Sequence, residues 1–287
     1  MSWRFVIAVL FMGLLWGLRI VKINLRGKNL RPMLLVAFYS PVLYFSGETF
    51  GISHTTASET GIILAACPVA TLVASSIILR KKPFALQVTG ILVTVGGVVI
   101  ATVAKGVSAS LSPFGYAMLA LATVSYALYV VYVVRAAEFN ASEMTFLMVA
   151  VGAVVFAVCA VIETATGGLL GSGTLNTNLT HWLTLPFRDS GFLTAALYQG
   201  IGCSVAAYFC SVVAIAKLGA NRTASFVGFS TVVSIIAAVI FLDETFTPLQ
   251  ALGTLVIMGG VYTANMSRRD LPAETQKRNA RPSNVTQ

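Results

Sequence analysis

Residues 79–101 read LRKKPFALQVTGILVTVGGVVIA, and residues 242–264 read LDETFTPLQALGTLVIMGGVYTA. The leading leucine, the Leu-Gln pair, the single glycine and the Gly-Gly-Val triplet recur in register. The charges do not: Arg80, Lys81 and Lys82 stand where Asp243, Glu244 and Thr245 stand in the second copy. Extended to 57–101 against 220–264, the comparison needs no gap and gives 15 identities in 45 positions, where apolar composition alone would give about four. The chain thus repeats an apolar unit and reverses the charge at its entrance.

Composition says where such a unit lives. Of 287 residues, 57% are hydrophobic and 10% charged, against about 25% charged in a soluble domain. Mean hydropathy is +0.85, and no long polar region could fold as a separate soluble domain. The net charge of +9 would suit nucleic acid only on a basic face of a soluble fold. Here the basic residues punctuate apolar runs, so no nucleic-acid partner is expected. Cys67, Cys159, Cys203 and Cys210 all fall inside apolar runs and read as small buried hydrophobes, not disulfides or metal ligands.

A bilayer core takes about 20 apolar residues per helix. Nine runs qualify: 4–21, 33–53, 58–79, 85–104, 114–134, 144–164, 191–216, 222–242 and 248–266. The first is kept as a span because no convincing signal-peptidase site follows it. The expected fold is an all-α polytopic membrane protein with nine transmembrane helices. If Met1 lies outside and the spans alternate, 16 of the 19 basic residues fall inside, and only Arg4, Lys105 and Arg188 fall outside. The C-terminus is then cytoplasmic. The two copies of the repeat are separated by an odd number of spans and insert in opposite directions. Inverted-topology repeats of this kind characterise secondary transporters, with the substrate site between the repeats near the midplane.

Several stretches match a known pattern in order and spacing. They are YFSGETFGISHTTASETGIILAACPVATLVASSIIL, LQVTGILVTVGGVVIA, GYAMLALATVSYALYVVYVVR, GCSVAAYFCSVVAIAKLGANRTASF and FLDETFTPLQALGTLVIMGGVYTAN. Together they resemble the EamA family of the drug/metabolite transporter superfamily. That family has ten helices, and this sequence starts at what looks like the second. The resemblance implies a first repeat over 1–107 with four helices and a second over 108–266 with five, followed by a basic, disordered tail at 267–287. Thr231 stands where the second repeat usually has a proline, and Lys81 replaces the usual acid at the first-repeat joint. The resemblance implies a secondary transporter in the plasma (cell inner) membrane that exports amino acids, related metabolites or amphipathic drugs. An inactive or regulatory membrane subunit is the alternative, since the first helix is absent. A homodimer and a proton as coupling ion are also expected, and no cofactor.

Individual residues refine this. Glu48 is the one acid well inside a span, where a charge costs about 2.5–3.5 kcal/mol without a partner, a proton or a wet cavity. It is the first candidate for binding a cationic part of the substrate or a coupling proton. Thr56 to Glu59 has capping-box spacing at a helix start, so Glu59 reads as a cap. With His54 it could instead form an external, pH-sensitive gate. Pro68 lies mid-span and is read as a kink bordering the pathway, with Thr231 at the symmetric site. Tyr126, Tyr129, Gln199, Ser204 and Tyr208 are polar groups within spans that could line a small-molecule pocket or join helices. Gly90, Gly96, Gly97, Gly253, Gly259 and Gly260 read as close-packing sites. Asn178 in NLT is a sequon that matters only in a secretory compartment. No HExxH helix, paired aspartates or buried Ser/His dyad supports an intramembrane enzyme, since His54 and His181 both fall in loops. No phosphate-cradling glycine loop supports direct ATP coupling.

Overall fold

The computed structural model describes residues 1–25, 27–80, 83–103, 112–165, 184, 186, 188–242 and 247–266. Over these residues the chain folds into nine helical rods. They are α1 (Ser2–Gly17); α2 (Leu30–Ala37, Phe38–Tyr44 and Phe45–His54, end to end); α3 (Ala57–Leu64 and Cys67–Ile78); α4 (Ala85–Val103); α5 (Pro113–Arg135); α6 (Ala141–Ala165); α7 (Ser190–Leu197, Tyr198–Ala206 and Ala207–Leu218, end to end); α8 (Ala220–Ser225 and Val227–Leu242); and α9 (Pro248–Met266). Each rod overlaps one expected span. Five stretches are long and apolar enough to cross a bilayer by length and composition: 59–78, 85–103, 113–135, 141–162 and 190–218. The outward surface is apolar too. Leu10, Ile77, Val154, Ile240, Leu255 and Tyr262 are each more than 60% exposed, a surface that lipid, not water, would cover.

Sequence punctuation sets the rod ends. Asn29 caps α2, and Asp189 caps α7 through the amides of Gly191 and Phe192. Ser112 caps α5 and is followed by Pro113, whose missing N–H costs nothing in a first turn. Thr247 and Gln250 form a reciprocal capping pair at the start of α9. This gives Gln250, one of the conserved-register residues of the repeat, a local structural role. Between α7 and α8 there is no linker beyond Gly219, whose φ of +84° few other residues adopt cheaply.

Two rods depart from the expected straight spans. α3 breaks at Ala65–Ala66, and Pro68 sits in the first turn of its second segment. It is therefore not a mid-helix kink: the helix restarts just before it, where a proline is tolerated. α8 breaks at Phe226. The proline that does lie inside a helix is Pro41, in the π-helical segment Phe38–Tyr44 of α2. A second π segment, Tyr198–Ala206, lies in α7. The first rod also starts and stops earlier than expected, at Ser2 and Gly17.

The buried hydrophobic side chains gather in two main clusters and a smaller third. α1, α2, α5, α6 and α7 share one core, including Phe5, Met12, Met33, Tyr129, Met144, Met148, Tyr208 and Ile215. α3, α4, α8 and α9 make the second, around Ala65, Val98, Ala101, Val232, Ile257 and Val261. The helix starts Ala57, Ala85 and the helix end Val103 recur 163 residues later as Ala220, Pro248 and Met266.

The contact between α4 and α9 follows the same offset. A side chain at Gly90 would strike Ala264, and one at Gly253 would meet the amide of Ala101 at 2.7 Å. One at Gly97 would meet the amide of Ile257 at 2.7 Å, and one at Gly260 the amide of Thr94 at 2.5 Å. Rising numbers in α4 meet falling numbers in α9, so the two helices run antiparallel. Gly96 and Gly259 differ from their neighbours: nothing lies within 4 Å of a side chain at either. They face outward and are not packing sites.

Candidate substrate site

The candidate site is built where α1, α2, α5 and α7 meet. In α2, the π segment carries Ser40 and Pro41 inward, and both are buried. One turn on, Gly47 and Gly51 let the rod lie directly on α5, where a side chain would strike Met118 and Leu119. That close approach fixes the face bearing Tyr44, Phe45 and Glu48. The Tyr44 hydroxyl donates to Glu48 Oε1 at 2.9 Å, one turn along the same helix. No ion pair to Glu48 is found among the described residues.

α5 brings up the aromatic wall. Tyr126 lies 5.9 Å from Tyr44 and 6.0 Å from Tyr129, ring centre to ring centre. The Tyr129 hydroxyl is 3.2 Å from Ser211 Oγ of α7, either of which can donate.

α7 contributes through its π segment. Ser204 is fully buried, and its hydroxyl donates to the Gln199 carbonyl five residues back, at 3.0 Å. The Gln199 side chain, expected in the pocket, is on the exposed face of α7; only its backbone takes part. Tyr208 is 8% exposed and packs edge-on against Phe45 at 6.5 Å. α1 crosses α7 at Gly200, where any side chain would meet the Arg4 carbonyl at 2.9 Å.

Arg4 is the residue that sequence reading assigned elsewhere. Counted among the external basic residues, it instead reaches the midpoint of α7. Its Nε donates to Ser204 Oγ at 2.7 Å and its Nη2 to the Cys203 carbonyl at 3.3 Å. The guanidinium lies 4.4 Å above the Phe45 ring and acts electrostatically on Glu48. Its place three residues into an apolar run resembles a flank that ends at the interface, and nothing in the local pattern marks it as turned inward.

The remaining candidates sit apart from this cluster. Glu59 completes the capping box: its carboxylate accepts from the Thr56 amide at 2.9 Å while its amide donates to Thr56 Oγ1 at 3.2 Å. Its other oxygen accepts from the Tyr116 hydroxyl at the start of α5. His54 ends α2, exposed, with Nδ1 on the Phe50 carbonyl and its ring against Phe114. Thr231 lies in the helical part of α8, and its side chain falls outside what the structure describes, as do Lys81, Lys105, Asn178, His181, Asp243, Glu244 and the tail after Met266.

A bundle of apolar rods enclosing a cation, a carboxylate and a ring of phenols defines an integral, multi-pass membrane protein that handles a small molecule. The chain belongs to the EamA-like transporter family, which it matches over residues 1–103 and 113–266. It is 32% identical over 251 residues to the uncharacterized transporter YcxC of Bacillus subtilis (strain 168), covering 86% of this chain and 77% of that protein. A solved crystal structure, 18% identical in sequence, superimposes with a TM-score of 0.70 over 93% of this chain and 87% of its own, a likeness of fold alone. The chain is thus a membrane transporter with a small-molecule substrate.

Proposed function

We propose that this transporter is a proton-coupled secondary exporter of small organic metabolites, with amino acids, related compounds or amphipathic drugs as cargo, working by alternating access. The observation that carries the proposal is Glu48: a half-buried carboxylate in a transmembrane rod, held by one tyrosine hydroxyl. An intramembrane acid of this kind costs several kcal/mol unless it takes a proton or a cationic ligand. A group that alternates between those two occupants couples proton entry to substrate exit. The hydrogen-bonding neighbour of Glu48 is Tyr44 of its own helix, and three residues back Phe45 carries Arg4 of α1 on its face and Tyr208 of α7 at its edge.

The halves 1–107 and 108–266 act as inverted repeats in this reading. Its support is the 163-residue offset in helix boundaries and the antiparallel, mutually reciprocal contacts of α4 with α9. Such a pair can rock about a fixed site. Glu48→Gln is expected to abolish pH-gradient-driven export from substrate-loaded, right-side-out vesicles while leaving membrane abundance unchanged. Efflux that keeps its dependence on the imposed gradient in that variant would refute proton coupling at Glu48.

A further inference from the structure

Arg4 has more hydrogen-bonding capacity than the protein uses. A guanidinium carries five N–H donors in a rigid plane. Among the described residues, two are engaged: Nε on Ser204 and one Nη2 hydrogen on the Cys203 carbonyl. The partners fix the plane. Ser204 is immobilised by its own bond to Gln199, and the Phe45 ring stacks beneath. The free donors cannot swing out to water without breaking both bonds.

A second observation is independent of Arg4. The Tyr208 hydroxyl, on a residue 8% exposed, makes no hydrogen bond of normal geometry among the described residues, although the Ser40 hydroxyl of α2 lies beside it. Leaving a buried hydroxyl unsatisfied costs about 1–3 kcal/mol. That residue stands one turn beyond Ser204 on α7, and its ring meets the same Phe45 ring that the Arg4 guanidinium covers. Spare guanidinium donors and an orphan phenol at one place call for an acceptor with two oxygens. Glu48 does not fill the role, since it makes no ion pair to Arg4.

We propose that Arg4 and Tyr208 form a carboxylate subsite: the guanidinium receives a carboxylate of the transported molecule side-on, and the Tyr208 hydroxyl donates a further bond to it. This rests on the reading of the side-chain cluster around Glu48 as the substrate site and assigns its opposite pole. Arg suits the task because its planar fork matches both oxygens of a carboxylate, whereas a lysine offers a point charge. Glu48 is left to bind a proton or a cationic group, and the aromatic rings between receive the rest of the molecule.

The test uses the full chain, purified in neutral detergent and in phosphatidylcholine liposomes, with phenylalanine, phenylalaninamide and phenethylamine as probes. Binding is read by calorimetry and by thermal shift. The wild type is expected to bind the acid at least tenfold more tightly than the amide or the amine. Arg4→Gln should erase that preference, Arg4→Lys should restore part of it, and Tyr208→Phe should reduce it about threefold or more. Tyr208→Phe removes one hydroxyl that makes no hydrogen bond of normal geometry among the described residues, so it should fold even if Arg4→Gln does not. Equal behaviour of acid and amide in the wild type, including binding of neither, overturns the assignment. So does a preference that survives Arg4→Gln or Tyr208→Phe. Stabilisation by phosphatidylglycerol but by no soluble carboxylate assigns Arg4 to a lipid headgroup and overturns it too. Efflux from the same liposomes separates the two readings. Acid-selective binding without export sinks the exporter and keeps the subsite; export with no acid preference does the reverse.

Discussion

Arg4 and Glu143 show how much a single charge depends on what surrounds it. Glu143 is 1% exposed, yet it is fully provided for. Lys28 Nζ lies 2.6 Å from Oε2, and the amides of Asn24 and Asn140 donate at 3.0 and 2.9 Å. The carboxylate ties the chain between α1 and α2 to the first turn of α6, where the positive end of the helix also favours it. With both carboxylate oxygens engaged by the chain itself, the arrangement reads as a structural latch. Glu143→Ala strands two backbone donors and Lys28 and should cost about 1–3 kcal/mol, read as a lowered midpoint of thermal unfolding in detergent. Any residual transport rate should fall only in proportion to the folded fraction. The same substitution leaving the midpoint unmoved would show that the latch is dispensable.

At the level of helices, closeness is decided by which glycines face a neighbour. Gly96 and Gly97 are adjacent in sequence and recur together as Gly259 and Gly260, so pattern alone treats them alike. Helical geometry turns successive residues by about 100°, and only Gly97 points at α9. Gly97→Ala would push a methyl group to 2.7 Å from the Ile257 amide and 2.9 Å from the Gly253 carbonyl, backbone atoms that cannot step aside. That should cost about 1–3 kcal/mol. Gly96→Ala meets open space and should be neutral or stabilising by up to about 1 kcal/mol, from helix propensity. The paired melting curves check the register of α4 on α9: equal losses in both would contradict it. The two π segments belong to this scale as well. Each adds a residue to a turn and shifts which carbonyls are free, and in α7 that places the Cys203 carbonyl and Ser204 Oγ where Arg4 meets them.

For the whole molecule, the question is how the two halves sit in the bilayer. α4 and α9 lie antiparallel, so the proposed inverted arrangement puts their first residues at opposite membrane faces. Single cysteines at Pro83 and Thr247, in a background with the four native cysteines replaced, should be labelled by an impermeant maleimide from opposite sides of sealed cells. Labelling of both from one side would rule out the inverted arrangement and, with it, rocking of one half against the other. Each main cluster draws helices from both halves: α3 and α4 pack with α8 and α9, and α1 and α2 with α5, α6 and α7. Under the proposed alternating access, motion between halves would shear contacts within a cluster, and small residues at those seams would permit sliding at modest cost.

The sequence by itself determined the class of the protein. Nine apolar runs, sparse charge and a gapless repeat can be satisfied only by helices in lipid, because a bilayer accepts no unpaired backbone. It also marked Glu48, since an acid inside an apolar run stands out against its local background, and it read the capping box at Thr56 and Glu59 from spacing alone. Tertiary structure decided what no local window contains. It turned Arg4 inward onto Ser204, moved the Gln199 side chain outward, made Pro68 the start of a helix and put the internal proline at Pro41. Each of those outcomes depends on which face of a rod meets another rod, and hence on crossing geometry and on an extra residue in a π turn. Hydrophobic periodicity, nearly uniform around these helices, carries no record of either.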